Sequence, residues 1–258
     1  MTPHLIAGLA LTGLVGASLG LLGAGGSIIM LPVLVYVVGV EPHAAVPLSL
    51  AIVGTTSLVS VAVHSSGSEI RWGTALLIGG AALGGTYLGS RLTVLVPGSV
   101  LLLSFGVLLV LVGFRMWRSS DANENVTMTP QRPLLMLAAG AFVGLLTGFL
   151  GVGGGFLIVP ALVKVGGLGM REAIRTSLVV IAMSSVAGLA AHLAHGNAPS
   201  VGFAVPLTIA AVVGMAAGSQ AARYARPEHL RRGFAGFVTC VGSALILVNT
   251  PTAIRMLS

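Results

Sequence analysis

Acidic side chains are scarce: six Asp and Glu occur in 258 residues. Glu41, Glu69, Asp121, Glu124, Glu172 and Glu228 all fall in or beside predicted loops, and none lies inside an apolar run. Cation carriers and proton-driven pumps usually keep a carboxylate within the membrane, so this placement argues against both. The single cysteine, Cys240, excludes a disulfide framework and a cysteine metal site. No cluster of His, Cys and carboxylate and no nucleophile–base pair is visible, so neither an enzyme nor a cofactor or metal is expected. Charged residues make up only 7% of the chain, too few to solvate the surface of a soluble domain. The net charge of +7 and pI near 11.1 would suit a nucleic-acid partner. The Lys and Arg, however, sit in short loops between apolar runs, where membrane topology accounts for them, so no nucleic-acid partner is expected.

Apolar residues make up 55% of the chain, and the mean hydropathy is +1.03. Together with runs of 18 or more apolar residues, this means membrane spans, with the lipid bilayer as the surrounding solvent. The apolar segments are 5–23, 27–39, 44–64, 73–95, 99–117, 134–150, 155–166, 172–194, 201–222 and 232–249. The first lacks a basic flank and opens a repeat, so it is expected to be a structural segment and not a cleaved signal.

A phrase of glycines closing in proline occurs twice at an offset of 128 residues. Gly16, Gly20, Gly23, Gly25, Gly26 and Pro32 match Gly144, Gly148, Gly151, Gly153, Gly154 and Pro160. The register continues without a gap through Gly39/Gly167, Ala45/Ala173, Ser49/Ser177, Ser57/Ser185 and His64/His192. The chain therefore divides into a first membrane repeat (1–117), a polar linker (118–133) and a second membrane repeat (134–258).

Residues 5–39 as one helix would be about 50 Å long against a hydrocarbon core of about 30 Å. The crowded glycines predict a break at Gly23–Gly26 and again at Gly151–Gly155. Charge decides how each break is counted. If a broken segment crosses once, the thirteen Lys and Arg divide eight to five; if it turns back, they divide eleven to two, with only Arg91 and Arg255 opposite. The second division is the asymmetry of the positive-inside rule. It also gives each repeat an odd number of crossings. The expected fold is all-α and polytopic: two inverted repeats, each a glycine-broken segment, re-entrant or paired, plus three transmembrane helices. Both termini are then expected on the periplasmic or extracellular side of the cell inner membrane.

A helix broken at membrane depth is tolerated only inside protein or along a wet cavity. The half-helix that follows presents free N–H groups and a dipole that favour an anion. Gly23, Gly25, Gly26, Gly151, Gly153, Gly154 and Gly155 are therefore candidate substrate-lining positions, with Ser27 as a cap or a donor to substrate. Pro32 and Pro160 are candidate helix kinks. Gly16, Gly20, Gly144 and Gly148 fit a plainer role in close helix packing. The next helices carry Ser49, Thr55, Thr56, Ser57 and Ser60, then Thr176, Ser177, Ser184 and Ser185. Most such hydroxyls bond their own helix or a neighbour. Ser49 and Ser177, equivalent and near the helix starts, are the candidates for substrate contact. His64 and His192 are expected at the interface on opposite faces. Arg91 lines an anion path or anchors the helix at the interface.

The doubled phrase, GASLGLLGAGGSIIMLP and GLLTGFLGVGGGFLIVP, resembles the TauE/SafE family of sulfite exporters. The likeness extends to the following helices (PLSLAIVGTTS and RTSLVVIAMSS), to a closing histidine, and to GGTYLGSRL and GMAAGSQAA. It runs from about residue 5 to 250. It implies an inner-membrane secondary transporter that exports sulfite, sulfoacetate or related organosulfonates. The resemblance also implies substrate-facing roles for Gly23, Gly25, Gly26, Gly151, Gly153 and Gly154, to which Ser27, Ser49, Thr176 and Ser177 are added as donors. Alternating access would hold the anion near mid-membrane at both breaks. A channel-like pore, or a carrier of another small anion such as a carboxylate, is the alternative. One departure is that Thr176-Ser177-Leu178 reads Leu48-Ser49-Leu50 in the first repeat. The sequence leaves open the anion, the coupling ion and whether a homodimer forms.

Overall fold

Helices account for every regular element in the computed structural model, which describes residues 3–22, 27–64, 70–118, 133–151, 155–194, 201–221, 236 and 239–250. They are α1 (Pro3–Leu22), α2 (Ser27–Val37), α3 (Pro42–His64), α4 (Trp72–Leu95), α5 (Gly98–Arg118), α6 (Pro133–Leu150), α7 (Gly155–Lys164), α8 (Met170–Ala194), α9 (Val201–Ala221) and α10 (Thr239–Thr250). Four of these are long and apolar enough to cross a membrane by length and composition. The outer faces carry exposed Leu14, Leu58, Leu76, Leu88, Leu111, Phe142 and Leu247. The inner faces bury Thr56, Thr86, Thr93, Thr147 and Ser184. Apolar outside and hydroxyl-bearing inside is the polarity of a bundle in lipid.

The sequence duplication recurs in backbone geometry. α2 and α7 each stop at a left-handed glycine, Gly39 with φ 80° and Gly167 with φ 64°. The N–H groups of Val38 and Val40 donate to Val33 and Leu34, and those of Gly166 and Leu168 donate to the equivalent Ala161 and Leu162. A positive φ costs an L side chain about 1–2 kcal/mol, so glycine at both stops fixes where α3 and α8 begin.

Val38, just past α2, lies 2.8 Å from where a Cβ on Gly8 would stand. The chain therefore turns back along α1 after the break. This is the folded-back form of the broken segment, not one continuous crossing.

Helix direction follows from the glycine contacts. Gly54 meets Ser185 and Gly188 meets Leu50, so α3 and its equivalent α8 pack antiparallel. Gly106 meets Leu245 and Ile246, and Gly242 meets Leu109 and Val110, so α5 and α10 are antiparallel too. In contrast, α1 runs parallel to α9 and α4 parallel to α6. In these two pairs a Cβ on Gly16, Gly20, Gly85, Gly89, Gly144, Gly148, Gly214 or Gly218 would land on a carbonyl oxygen of the facing helix. Without a hydrophobic drive between helices in lipid, such backbone contact is what holds them. Each pair joins one helix from each repeat, so the repeats interlock.

Neighbouring glycines of α4 test this packing. Gly84 faces open space, whereas a Cβ on Gly85 would meet the Ala141 carbonyl. Gly84→Ala should leave thermal stability in detergent unchanged or raise it by up to about 1 kcal/mol. Gly85→Ala should cost about 1–3 kcal/mol. Equal behaviour of the two variants would contradict the contact.

Candidate functional site

The second glycine break is built on a held helix end. α6 closes at Leu150, and Gly151, at φ +68°, turns the chain away while its N–H donates to Thr147 O at 2.8 Å. A Cβ on Gly151 would lie 2.8 Å from Val46 Cα, so the turn also lies against the backbone of α3. The α6 carbonyls just before it are reached from two other helices. Thr93 Oγ1 of α4 lies 3.1 Å from Gly148 O and 2.8 Å from Phe149 O. His192 Nε2 of α8 lies 3.4 Å from Gly148 O. Thr93 Oγ1 also lies 3.2 Å from Gly89 O of its own helix, and a hydroxyl has one proton to donate, so it serves these three carbonyls in alternation.

His192 stands in the last turn of α8, at a helix end as expected, but is only 1% exposed, so it faces protein there. Sequence position near the end of α8 suggested solvent. The reason for the difference is that α8 packs centrally against α3 and α4, so that face points into protein. The side chain of its equivalent, His64, lies outside the described residues.

Helix length bears on the depth expected of the two breaks. α1 has 20 residues and α6 has 18, about 30 and 27 Å of rise, so each nearly completes a crossing before its break. Gly20 packs on Met215 and Ser219 near the end of α9, and Gly151 packs on Val46 near the start of α3. The end of α1 and the close of α6 therefore lie toward opposite ends of the bundle.

Gly23, Gly25, Gly26, Gly153 and Gly154 lie outside the described residues, and α7 begins at Gly155. Ser27 is fully buried at the start of α2. Pro32 stands where α2 passes into a π-helical turn, Val33–Val37. Proline has no N–H to continue the regular ladder, so a wider turn there is physically reasonable. Pro160 lies within an α7 that is α-helical from Gly155 to Lys164.

Thr176 Oγ1 accepts the backbone N–H of Arg71 at 3.2 Å, and the Arg71 guanidinium pairs with Glu172 at 3.2 Å. Together they fasten the start of α4 to the first turns of α8. Arg71 is 59% exposed, so the ion pair itself adds at most about 1 kcal/mol. Ser177 donates to Ile174 O at 2.7 Å. Its equivalent Ser49 is buried with no partner for its hydroxyl, so the two repeats present different groups at this level. Arg91 is exposed at the end of α4; it donates to the Tyr87 hydroxyl at 2.6 Å and sits 5.0 Å over the Tyr87 ring.

Most helical hydroxyls here bond back to their own helix: Thr56 to Ile52, Thr86 to Ala82, Thr147 to Val143, Ser184 to Ile181 and Thr208 to Ala204. Ser57 and Ser185 depart from that habit. In the sequence they stand among many hydroxyls, although their equivalence across the repeat is a usable signal. A groove of about 290 Å³ between α3 and α9, lined by Ala51, Thr55, Ala204, Val205, Thr208 and Ile209, is mainly apolar. Thr208 is committed to Ala204, so little in this groove recommends it to an anion.

Inside-out polarity, folded-back segments and spans of this length define a multi-pass membrane protein. The chain belongs to the TauE/SafE family of sulfite exporters: the family model described as "Sulfite exporter TauE/SafE" matches residues 8–245. A "Probable membrane transporter protein" of Xylella fastidiosa (strain 9a5c) is 38% identical over 173 residues, covering 66% of each chain, just under two thirds. The "Probable membrane transporter protein YdhB" of Bacillus subtilis (strain 168) is 27% identical over 190 residues, 71% of this chain and 76% of its own. The "Probable membrane transporter protein MJ0441" of Methanocaldococcus jannaschii is 25% identical over 248 residues, 91% of this chain and 92% of its own. No solved structure matches the chain. The family and these relatives are those of membrane transporters, not enzymes.

Thr93→Val should remove the tie between α4 and the last turn of α6 at a cost of about 1–2 kcal/mol, read as a lower unfolding midpoint in detergent. Thr208→Val, whose hydroxyl serves only its own helix, should shift stability by less than about 0.5 kcal/mol. An unshifted midpoint for Thr93→Val would remove it from the account of the break.

Proposed function

We propose that this protein is a secondary transporter of small sulfur-containing anions, sulfite, sulfoacetate or related organosulfonates, exporting them across the cell inner membrane by alternating access. One observation carries the choice of an anion. Among the described buried residues the polar groups are hydroxyls, one imidazole and one amide, with no Asp, Glu, Lys or Arg. A cation would lack a carboxylate there, whereas an oxyanion needs donors, which hydroxyls and helix N-termini supply without a buried countercharge. Family membership supports the sulfur class.

The antiparallel packing of α3 with α8 and of α5 with α10 supports an inverted relation of the two repeats. It also agrees with the eleven-to-two division of Lys and Arg. With the ends of α1 and α6 toward opposite ends of the bundle, each glycine-rich break would open to one face of the membrane, and the anion would pass between them. The glycine-locked pairs α1–α9 and α4–α6 each join both repeats. These pairs are the bodies that rock about the central α3–α8 pair, in place of the repeats as sequence units. Both termini lie on the periplasmic side, so a membrane-impermeant label should reach single cysteines at Thr2 and Ser258 in intact cells lacking Cys240. Labelling only after lysis would reverse the topology.

Flux into proteoliposomes tests the function. Saturable uptake of sulfite or sulfoacetate, with weaker competition by sulfate and acetate, is expected. Gly25→Leu and Gly153→Leu should abolish it in folded protein. Wild-type flux in both variants would remove the breaks from the transport path, and a preference for acetate would favour a carboxylate carrier.

A further inference from the structure

We propose that Ser57 and Ser185 form a hydroxyl pair that holds the transported oxyanion at the crossing of α3 and α8. The inference rests on the transport reading above and gives it a binding point among described residues.

Both serines are buried, Ser57 at 0% and Ser185 at 1% exposure, and neither Oγ has a hydrogen-bond partner. A buried hydroxyl without a partner is destabilising. A serine in a helix normally escapes that cost by bonding the carbonyl three or four residues back. Its neighbours follow this route: Thr56 reaches Ile52 O at 2.7 Å and Ser184 reaches Ile181 O at 3.1 Å. The local helix therefore permits the bond, and Ser57 and Ser185 leave it unmade.

Their positions are related. Ser57 and Ser185 are equivalent at the repeat offset of 128. Ser185 Cβ lies 2.9 Å from where a Cβ on Gly54 would stand, so Ser185 faces α3. The contacts Gly54 with Ser185 and Leu50 with Gly188 set an antiparallel register. In that register Ser57 falls opposite Ala182, the repeat equivalent of Gly54. The two serines then lie on either side of the crossing point, offset by about 5 Å along the helices. That spacing suits two donors converging on different oxygens of one small oxyanion. α3 has 23 residues and α8 has 25, and the crossing falls near the middle of both, so the site lies deep in the bundle. Neutral donors bind an anion without a fixed positive charge that would trap it, as release to the other face requires.

The test compares Ser57→Ala and Ser185→Ala with Ser184→Ala, which removes a hydroxyl already committed to its own helix. Purified protein is titrated calorimetrically with sulfite, then with sulfate and acetate, and unfolding midpoints are taken without anion. Sulfite Kd should rise roughly tenfold or more in each of the first two variants and stay within about twofold in Ser184→Ala. Their midpoints without anion should hold or rise, because an unsatisfied hydroxyl has been removed. If wild type binds sulfite and the two variants bind it equally well, the pair is overturned while the transport reading stands. A fall in their midpoints would also overturn the pair, since the hydroxyls would then be holding the fold. If wild type binds none of the three anions, the transport reading fails and the pair with it.

Discussion

Backbone-to-backbone contact at glycine is the constraint on which the bundle depends. In lipid, burying one more leucine between helices gains little, because the tails are as apolar as the side chain. What remains is close van der Waals approach, possible only where the Cβ is missing. In α1–α9 and α4–α6 the carbonyl oxygen of one helix occupies the place where a Cβ of the other would stand. The depth of that contact sets helix spacing, parallel direction and register together. Each such pair joins helices from different repeats, so the two repeats are held as one interlocked body.

The same residue type does two further kinds of work at other positions. Gly39 and Gly167, both left-handed, stop α2 and α7 with the same pattern of backbone hydrogen bonds. Gly151, also left-handed, ends α6 against the start of α3. The central pair, α3 and α8, joins helices that are equivalent at the sequence offset of 128 and run antiparallel. Among the described residues it gathers three of the four buried hydroxyls without a partner, Ser49, Ser57 and Ser185, with Thr12 on α1 outside it.

Much of this architecture was legible in the residues. The apolar runs 27–39, 44–64, 73–95 and 99–117 correspond closely to α2, α3, α4 and α5. The packing role of Gly16, Gly20, Gly144 and Gly148 follows from small-residue spacing alone. The depth of the breaks was harder to read, because glycine spacing says that a helix stops without saying how much membrane it has crossed. The burial of His192 was not legible, because position along a helix does not reveal which face its neighbours cover. Ser57 and Ser185 stood in the sequence as two hydroxyls among many. Only the hydrogen bonds of the surrounding serines and threonines separate them, and these depend on side-chain rotamer, which composition does not encode.

The central claim is that a small sulfur oxyanion is carried through this bundle by alternating access. Counterflow measures it most directly. Proteoliposomes loaded with labelled sulfite are diluted into buffer with or without unlabelled sulfite. A carrier that must return its site to the inner face should release label faster when external sulfite is present. Release at the same rate in both buffers would contradict alternating access and leave a pore.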